Sequence, residues 1–454
     1  MASRRLRWLV AGMLACGGAG LLTLTSAMNA GFAYGAADTA LIMGGSGNPQ
    51  PDPGYVADVN TNYTDFLYPG YQSVGLTTPE QVWPLSGLTS LTFDQSVAQG
   101  VADLNTAIMQ PPLVGYAGDN LAVFGNSQSA TIATDEMRSL MASGYNPHTG
   151  LAFIQVGSLN NPDGGIFERF AGAYIPFLDV SFNGATPPDT PYPTDIYTMQ
   201  YDGLADAPQY PLNPVSDLNA LLGITYLHPD YPTVPVSDYT VTLPTSPDYY
   251  TDGGVTHYYE MLTQNLPLLD PLRQIPVVGN PLAELVQPDF RVIVDLGYGD
   301  GYANVPTPAG LFHFVNPLTV GSELLTGAQQ GVVAALVDIG LLPSTDLPTT
   351  YPYVPLAETP GEIQLPGISS ALSDPSGTLS SLLSSPTSLP QDLLNLLGGS
   401  GSSSLSSDLL ALGSELTSML QGLDLPSSLL AVPDAFGFAL DPTLLLSPLA
   451  LLGF

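Results

Sequence analysis

Lysine is absent from this chain of 454 residues, and its seven basic residues are all arginines. They stand against 40 acidic residues, so the formal net charge at pH 7 is -33. A surface with this balance repels phosphate backbones and anionic lipid headgroups. We therefore expect no nucleic-acid partner.

Cysteine is almost absent too, since Cys16 is the only one, and it lies in a segment with the order of a secretion signal. Three arginines between positions 4 and 7 precede an apolar run over 8–24, and small residues follow. This order predicts a signal peptide over 1–33, cut after Ala30 or Ala33. An uncleaved N-terminal anchor is the alternative, because the run is close to membrane-spanning length. The cleaved chain would hold no disulfide.

Residues 34–341 have the pattern of an α/β domain. Apolar runs predict strands over 38–43, 121–124, 151–156 and 194–201, and a further strand at 291–296. Helical spacing predicts helices over 93–109 and 129–142. Strands that alternate with helices favour a mainly parallel sheet covered on both faces. The predicted fold class is therefore α/β.

Residues 342–454 differ in composition, being rich in Ser, Leu and Pro. The Gly/Ser run at 398–404 is typical of a flexible linker. Leucines between 405 and 420 share one helical face, and the chain ends in the apolar run 444–454. We interpret this as a low-complexity, partly ordered tail that docks on the domain or on itself. Attachment to lipid or to the cell envelope is the alternative.

Ser127 stands in the strongest catalytic pattern of the chain. It falls between a predicted strand and a predicted helix, with Gly125 two residues before it and Ser129 two residues after it. In a nucleophile elbow the serine occupies a sharp strand-to-helix turn, and small residues at these positions keep the backbones from colliding. Serine at +2, in place of the usual glycine, weakens the motif without excluding it. The alternative is a serine whose hydroxyl caps the helix.

An acyl-transfer site also needs two backbone N–H groups that stabilise the oxyanion. Gln128, directly after Ser127, is predicted to supply one of them. The Gly-rich turn at 44–47 follows the first strand and is predicted to supply the other, from Gly45 or Ser46. An ordinary turn is the alternative, and a phosphate loop is excluded because no lysine or arginine is near.

Four histidines are candidates for the general base. His148 follows the elbow helix in a Gly/Asn/Pro loop, which indicates a surface position. His257 is flanked by aromatic residues and is interpreted as a core or surface residue. His228 and His313 remain, and both follow Ser127, as the chain order serine, acid, histidine requires.

Two combinations of acid and histidine stay open on spacing alone. In the first, the strand at 194–201 ends at Asp202, with Asp206 shortly after it and His228 in a later loop. In the second, Asp300 follows the predicted strand at 291–296, and His313 is the base. The late histidines lack the spacing of metal ligands, so we expect no metal, and we expect no other cofactor.

Six segments of the chain resemble the PE-PPE domain, a serine α/β-hydrolase module of mycobacteria and related actinobacteria. They are residues 40–49, 123–130, 200–208, 210–213, 218–223 and 266–273. The family commonly carries Gly-x-Ser-x-Ser. The resemblance implies a triad of Ser127, His228 and either Asp202 or Asp206, with Asp202 favoured because it lies at the strand end. Residues 250–290 would then form a cap over an apolar acyl site.

The resemblance also implies an activity, since members of this family are esterases or lipases. We therefore expect a secreted or cell-envelope serine esterase that acts on a lipid or other acyl ester through an acyl-serine intermediate. Some relatives are similar to acyltransferases that move fatty acyl groups between trehalose glycolipids, which is the first alternative. A non-catalytic surface or cell-wall protein is the second. Membrane or cell-wall association is expected through the N-terminal segment or the leucine-rich tail.

Overall fold

The protein is built around a central β-sheet. The computed structural model describes residues 38–109, 120–145, 150–236, 240–249, 255–311 and 315–357. The predicted signal segment, His148, His313 and the chain after residue 357 lie outside these residues. The strands are β1 (Thr39–Ile42), β2 (Gln72–Gly75), β3 (Leu121–Asn126), β4 (Leu151–Val156), β5 (Tyr174–Ile175), β6 (Val180–Ser181), β7 (Thr194–Met199), β8 (Thr240–Thr242) and β9 (Thr256–Met261).

Seven of these strands form one sheet in the order β2-β1-β3-β4-β7-β9-β8, and β5 and β6 form a separate hairpin. Neighbours in the large sheet are parallel, except that β8 runs antiparallel to β9 at one edge. Parallel strands need crossover connections, which place helices on the faces of the sheet. The α/β class with a mainly parallel sheet, predicted from the sequence, is confirmed.

Helices cover the sheet and fill its connections. They are α1 (Pro53–Val59), α2 (Asp65–Leu67), α3 (Phe93–Met109), α4 (Gln128–Ser143), α5 (Ile166–Arg169), α6 (Pro214–Tyr226), α7 (Asp270–Arg273), α8 (Gly279–Asp295) and α9 (Pro317–Asp338). Short 3₁₀ turns begin at His228, Pro267 and Ser344, and a π-helical turn joins α1 to α2. Within the described ranges, no helix combines the length and apolar character needed to cross a membrane.

Two apolar layers form the core, one on each face of the sheet. Leu41 and Val123 enter the layer that contains α3 and α4. Their neighbours Ile42 and Phe124 enter the opposite layer. Successive side chains of a strand point to opposite faces, so a strand between two covered faces must be apolar throughout. This explains why β1 and β3 are continuous apolar runs rather than alternating ones.

The strand predicted at 291–296 is wrong, because these residues belong to the end of α8 and the turn after it. Valine and isoleucine in this run favour a strand locally. Over a longer stretch, Ala283, Gln287, Arg291 and Val294 are buried at helical spacing. The helix is stabilised by packing on α9 and by Arg291, which is fully buried and donates to the carbonyls of residues 263 and 264.

The cap predicted over 250–290 is wrong for its first described part. Residues 256–261 are β9, which pairs with β7 along its whole length as a strand of the central sheet. Tyr258 and Met261 are buried there, so the aromatic residues of this run fill the core rather than cover an acyl site. Further on, Leu266, Leu269 and Ala283 pack with Tyr201 in one apolar cluster.

The packed chain continues beyond the predicted boundary at 341. Tyr351 donates its hydroxyl to Asp295 at 2.9 Å, and the Tyr353 N–H donates to Gln330 on α9 at 2.8 Å. The carbonyl of Leu356 accepts from the side chain of Gln200 at 2.8 Å. The stretch 342–357, which we call the C-terminal strap, therefore connects α9 to the end of β7.

Candidate active site

Ser127 lies at the turn between β3 and α4. Its backbone has φ 59° and ψ -117°, a left-handed value that residues with side chains rarely adopt. The chain stays close-packed around it, since a Cβ on Gly125 would lie 2.6 Å from the carbonyl oxygen of Ser129. The Ser129 hydroxyl accepts the Asn126 N–H at 2.7 Å and so closes the turn. Ser127 itself makes no side-chain capping hydrogen bond to the helix, so the capping alternative does not describe it.

His228 and Asp202 lie beside this serine, although 101 and 75 positions separate them from it in the sequence (228 - 127 and 202 - 127). His228 Nε2 is 2.7 Å from Ser127 Oγ, and His228 Nδ1 is 2.7 Å from Asp202 Oδ2. The histidine side chain is 11% exposed and the aspartate side chain is not exposed at all. The three groups form a continuous hydrogen-bonded line from a buried carboxylate to the hydroxyl of the partly exposed Ser127. This is the geometry in which a base can take a proton from serine.

Asp202 has two further donors that fix its orientation. The Tyr231 hydroxyl donates to Oδ2 at 2.9 Å, and the Leu204 N–H donates to Oδ1 at 3.1 Å. The same Tyr231 oxygen accepts the Met199 N–H at 2.8 Å, which anchors it to the end of β7. Sequence reasoning missed Tyr231. Its spacing from His228, three residues within one short helical turn, is the signal that could have pointed to it.

Asp206 takes a different place from Asp202 in the same turn. Its Oδ2 accepts the Tyr201 N–H at 2.6 Å, and its own N–H donates to the Asp202 carbonyl at 2.6 Å. Burial raises the pKa of Asp206 to about 7, and the hydrogen bond from the Tyr201 N–H opposes this rise. Asp206 therefore closes the turn that carries Asp202, and the structure does not bring it to His228.

The Gly-rich turn after β1 lies against Ser127, as an oxyanion loop would. A Cβ on Gly45 would lie 3.3 Å from the Asn126 carbonyl oxygen and 3.4 Å from Ser127 Cβ, so the loop packs directly against the elbow. The Ser46 hydroxyl lies 3.4 Å from the side-chain oxygen of Gln128. Gln128 is the first residue of α4, where backbone N–H groups have no partner within the helix. The backbone of Gly45, Ser46 and Gln128 thus lies beside Ser127.

Gly157, just after β4, leaves room for the histidine. A Cβ there would lie 3.0 Å from His228 Cε1 and 2.7 Å from Tyr231 Cε2, and the residue has a φ of 58°. Both its conformation and its surroundings favour glycine.

His257 is far from this arrangement. It lies at the start of β9, its side chain is 63% exposed, and it pairs with Asp195 at 3.2 Å. Ser127 follows the carboxyl end of β3, whereas His257 is at the amino end of β9, so the two residues lie at opposite edges of the parallel sheet. Asp300 follows a helix rather than a strand, and His313 lies outside the described residues, so the second combination cannot be assembled from them. Among the described side chains, no group of three or more His, Cys, Asp or Glu could hold a metal ion.

Comparison with known proteins gives the family. The PE-PPE domain matches residues 69–299. The chain belongs to the PE-PPE domain family. PE family protein PE3 of Mycobacterium tuberculosis is 54% identical over 323 residues, which cover 70% of this chain and 67% of that protein. The resemblance seen in the sequence is therefore confirmed.

Two other relatives of this PE-PPE protein carry names that describe an activity. Esterase PE16 of Mycobacterium tuberculosis is 46% identical over 312 residues, which cover 67% of this chain and 56% of that protein. SL1278 acyltransferase Chp1 of the same organism is 28% identical over 306 residues, with 64% and 71% covered. The chain thus spans little more than half the length of Esterase PE16. Among solved structures, a cutinase-like protein from Cryptococcus sp. aligns weakly, over 38% of this chain and 80% of its own, at 20% identity and a TM-score of 0.25.

Proposed function

We propose that this protein is a serine esterase that cleaves carboxylic esters through an acyl-enzyme on Ser127. The observation that carries the proposal is the line of two 2.7 Å hydrogen bonds from Asp202 through His228 to Ser127. The strained elbow, the adjacent Gly-rich loop and membership of a family that includes a protein named an esterase support it.

Each group has a defined role in the proposed reaction. His228 Nε2 takes the hydroxyl proton as Ser127 Oγ attacks the ester carbonyl carbon. The carbonyl oxygen becomes an oxyanion, stabilised by the N–H of Gln128 and by that of Gly45 or Ser46. Asp202 keeps the proton of His228 on Nδ1 and stabilises the imidazolium. His228 then protonates the leaving alcohol, and a water that it deprotonates releases the acid from Ser127.

Acyl transfer is the second candidate, and the relative named SL1278 acyltransferase Chp1 favours it. The first half of the reaction is the same, and a sugar hydroxyl in place of water accepts the acyl group from Ser127. A long-chain ester supplied together with trehalose separates the two. Acylated sugar that forms faster than free acid would support transfer, and free acid alone would support hydrolysis.

Hydrolysis of p-nitrophenyl esters of short and long chains tests the proposal, together with fluorophosphonate labelling of the serine. Replacement Ser127→Ala should abolish both turnover and labelling. The matched control is Ser143→Ala, at the exposed far end of the same helix, which should retain both. Turnover or labelling that survives Ser127→Ala would refute the role of this serine, and a wild-type protein that shows neither would favour a non-catalytic protein.

We also propose that the enzyme acts outside the cytoplasm, on lipid or other acyl esters of the cell envelope or of a host. The segment 1–33 supports this through its signal-like order, and the leucine-rich tail offers a means of attachment to membrane or wall. Fractionation of cells that produce the full chain tests the location. Recovery in the cytosol, with the N-terminal segment intact, would refute it.

A further inference from the structure

The segment 78–81 connects the Gly-rich loop to the nucleophile helix. The Gly47 N–H donates to the Glu80 carbonyl at 2.7 Å. On the other side, the side-chain amide of Gln128 donates to the Gln81 carbonyl at 3.0 Å. One short segment therefore holds both stretches of backbone from which the proposed oxyanion hole is built.

Glu80 occupies the centre of this segment in an unusual state. It is fully buried, and its φ of 47° lies in the left-handed region that favours glycine. Its Oε1 accepts the Thr78 hydroxyl at 2.7 Å, whereas its Oε2 is buried without a hydrogen-bond partner among the described residues. A strained backbone and an unsatisfied buried oxygen both cost free energy, and such features concentrate at functional sites.

Within the part of the chain that the structure describes, no arginine compensates this carboxyl group. The arginines of the described ranges form their hydrogen bonds elsewhere. Arg138 pairs with Asp135, Arg169 with Asp163 and Arg273 with Glu284, and Arg291 donates to main-chain carbonyls. The titratable group that interacts with Glu80 is Tyr55 on α1, whose hydroxyl lies near Asn126. Burial raises the pKa of Glu80 from 4.5 to about 8, although the Thr78 hydroxyl opposes this rise. Glu80 is therefore a neutral acid at pH 7.

We propose that Glu80 is a positioning residue for the reaction at Ser127, because its neutral, buried side chain keeps the segment 78–81 in place and thereby holds the Gly-rich loop at the nucleophile. The inference rests on the proposed function. Ionisation would place an unpaired charge in the interior, which is relieved only when the segment opens to water. Gly47 would then lose the Glu80 carbonyl, and the N–H groups of Gly45 and Ser46 would leave the oxyanion.

The pH dependence of kcat/KM tests this, because a purely structural residue would not set it. In the wild type, kcat/KM should fall about tenfold between pH 7 and pH 9 as Glu80 ionises. Replacement Glu80→Gln keeps the shape without the charge, so it should keep the rate at pH 7 within about threefold and remove the alkaline fall. Replacement Thr78→Val removes a donor that favours the carboxylate, so it should move the alkaline fall to higher pH.

A matched control is Glu136→Gln on α4, another fully buried carboxyl, which is bound to Asn105 on α3 and lies away from the loop. It should leave the alkaline fall unchanged, and melting curves at each pH show which variants are folded. An alkaline fall that persists in folded Glu80→Gln overturns the inference while the function stands. If Glu80→Gln does not fold, an unmoved fall in Thr78→Val overturns it. A wild type without Ser127-dependent turnover overturns both.

Discussion

Replacement of Asp202 by asparagine should disable the enzyme, whereas the same replacement at Asp206 should not. Asp202 receives donors on both oxygens, from His228 and Tyr231 on Oδ2 and from the Leu204 N–H on Oδ1. An amide has only one oxygen, so its NH₂ group must face a donor on one side. If the NH₂ group faces His228, Nδ1 becomes the acceptor and the proton moves to Nε2. The histidine can then no longer accept the proton of Ser127.

The expected size of the effect follows from this change of tautomer. Replacement of the triad aspartate by its isosteric amide lowers the kcat of a serine hydrolase about 10⁴-fold. At about 1.36 kcal/mol for each factor of ten, this is roughly 5 kcal/mol of transition-state stabilisation. In Asp206→Asn, the side-chain oxygen still accepts the Tyr201 N–H. We therefore expect kcat to fall by less than about tenfold, with the principal change in stability.

Steady-state hydrolysis of one p-nitrophenyl ester at pH 7, with melting temperatures for each variant, measures both effects. Active-site titration with a fluorophosphonate corrects kcat for the folded fraction. The reasoning would be refuted if folded Asp202→Asn kept more than about a tenth of the wild-type kcat while folded Asp206→Asn lost it. In that case Asp206 would be the acid of the triad, and the hydrogen bond between His228 and Asp202 would not contribute to catalysis.

Three further predictions concern the surroundings of the site. Tyr231→Phe removes one donor from Asp202 and should lower kcat about tenfold with KM unchanged, whereas an unchanged kcat would show that Tyr231 is dispensable. Burial raises the pKa of Glu80 to about 8 and that of Glu136 to about 7. The folded state therefore keeps protons that the unfolded state has lost. The free energy of unfolding should fall as pH rises from about 4.5 to 8, by about 1.4 kcal/mol per unit of pKa difference. Denaturant titrations that show a rise over this range would contradict this. A chain that ends at 341 should melt several degrees below one that ends at 357, since it lacks the C-terminal strap, and equal melting temperatures would show that 342–357 adds no stability.

The sequence predicted the elements in which local pattern and packing agree. The strand before Ser127 and the helix after it are both visible as periodic apolar residues, and the small residues of the elbow stand between them. Because this information lies within one stretch of chain, the turn and the nucleophile could be placed together.

The sequence favoured Asp202 over Asp206 because of its place at the strand end, but it did not decide between the two. Both acids lie in one turn after β7, and their side chains differ in the direction in which the backbone presents them. Tyr201, at the start of this turn, has a positive φ of 69°, and its hydroxyl donates to Asp295 at 2.7 Å. No local pattern records such a contact across 94 positions of chain.

Strand β9 and helix α8 were missed for opposite reasons. The residues of β9 are aromatic and polar, which resembles a cap, and only pairing with β7 makes them a strand. The end of α8 is rich in β-branched residues, which resembles a strand, and only packing against α9 makes it a helix. Tertiary contacts override local preference in both cases.

The match to the PE-PPE domain ends at residue 299, but Tyr351 of the C-terminal strap donates to the same carboxylate, Asp295, that Tyr201 donates to. Tyr201 immediately precedes Asp202, so a stretch of chain outside the family match reaches the acid of the proposed triad through two hydrogen bonds. Changes in this stretch would alter the support of the acid without altering one residue of the proposed triad. Substitutions within 342–357, at least 114 positions after His228 (342 - 228), therefore have a physical route to the reactivity of the proposed site.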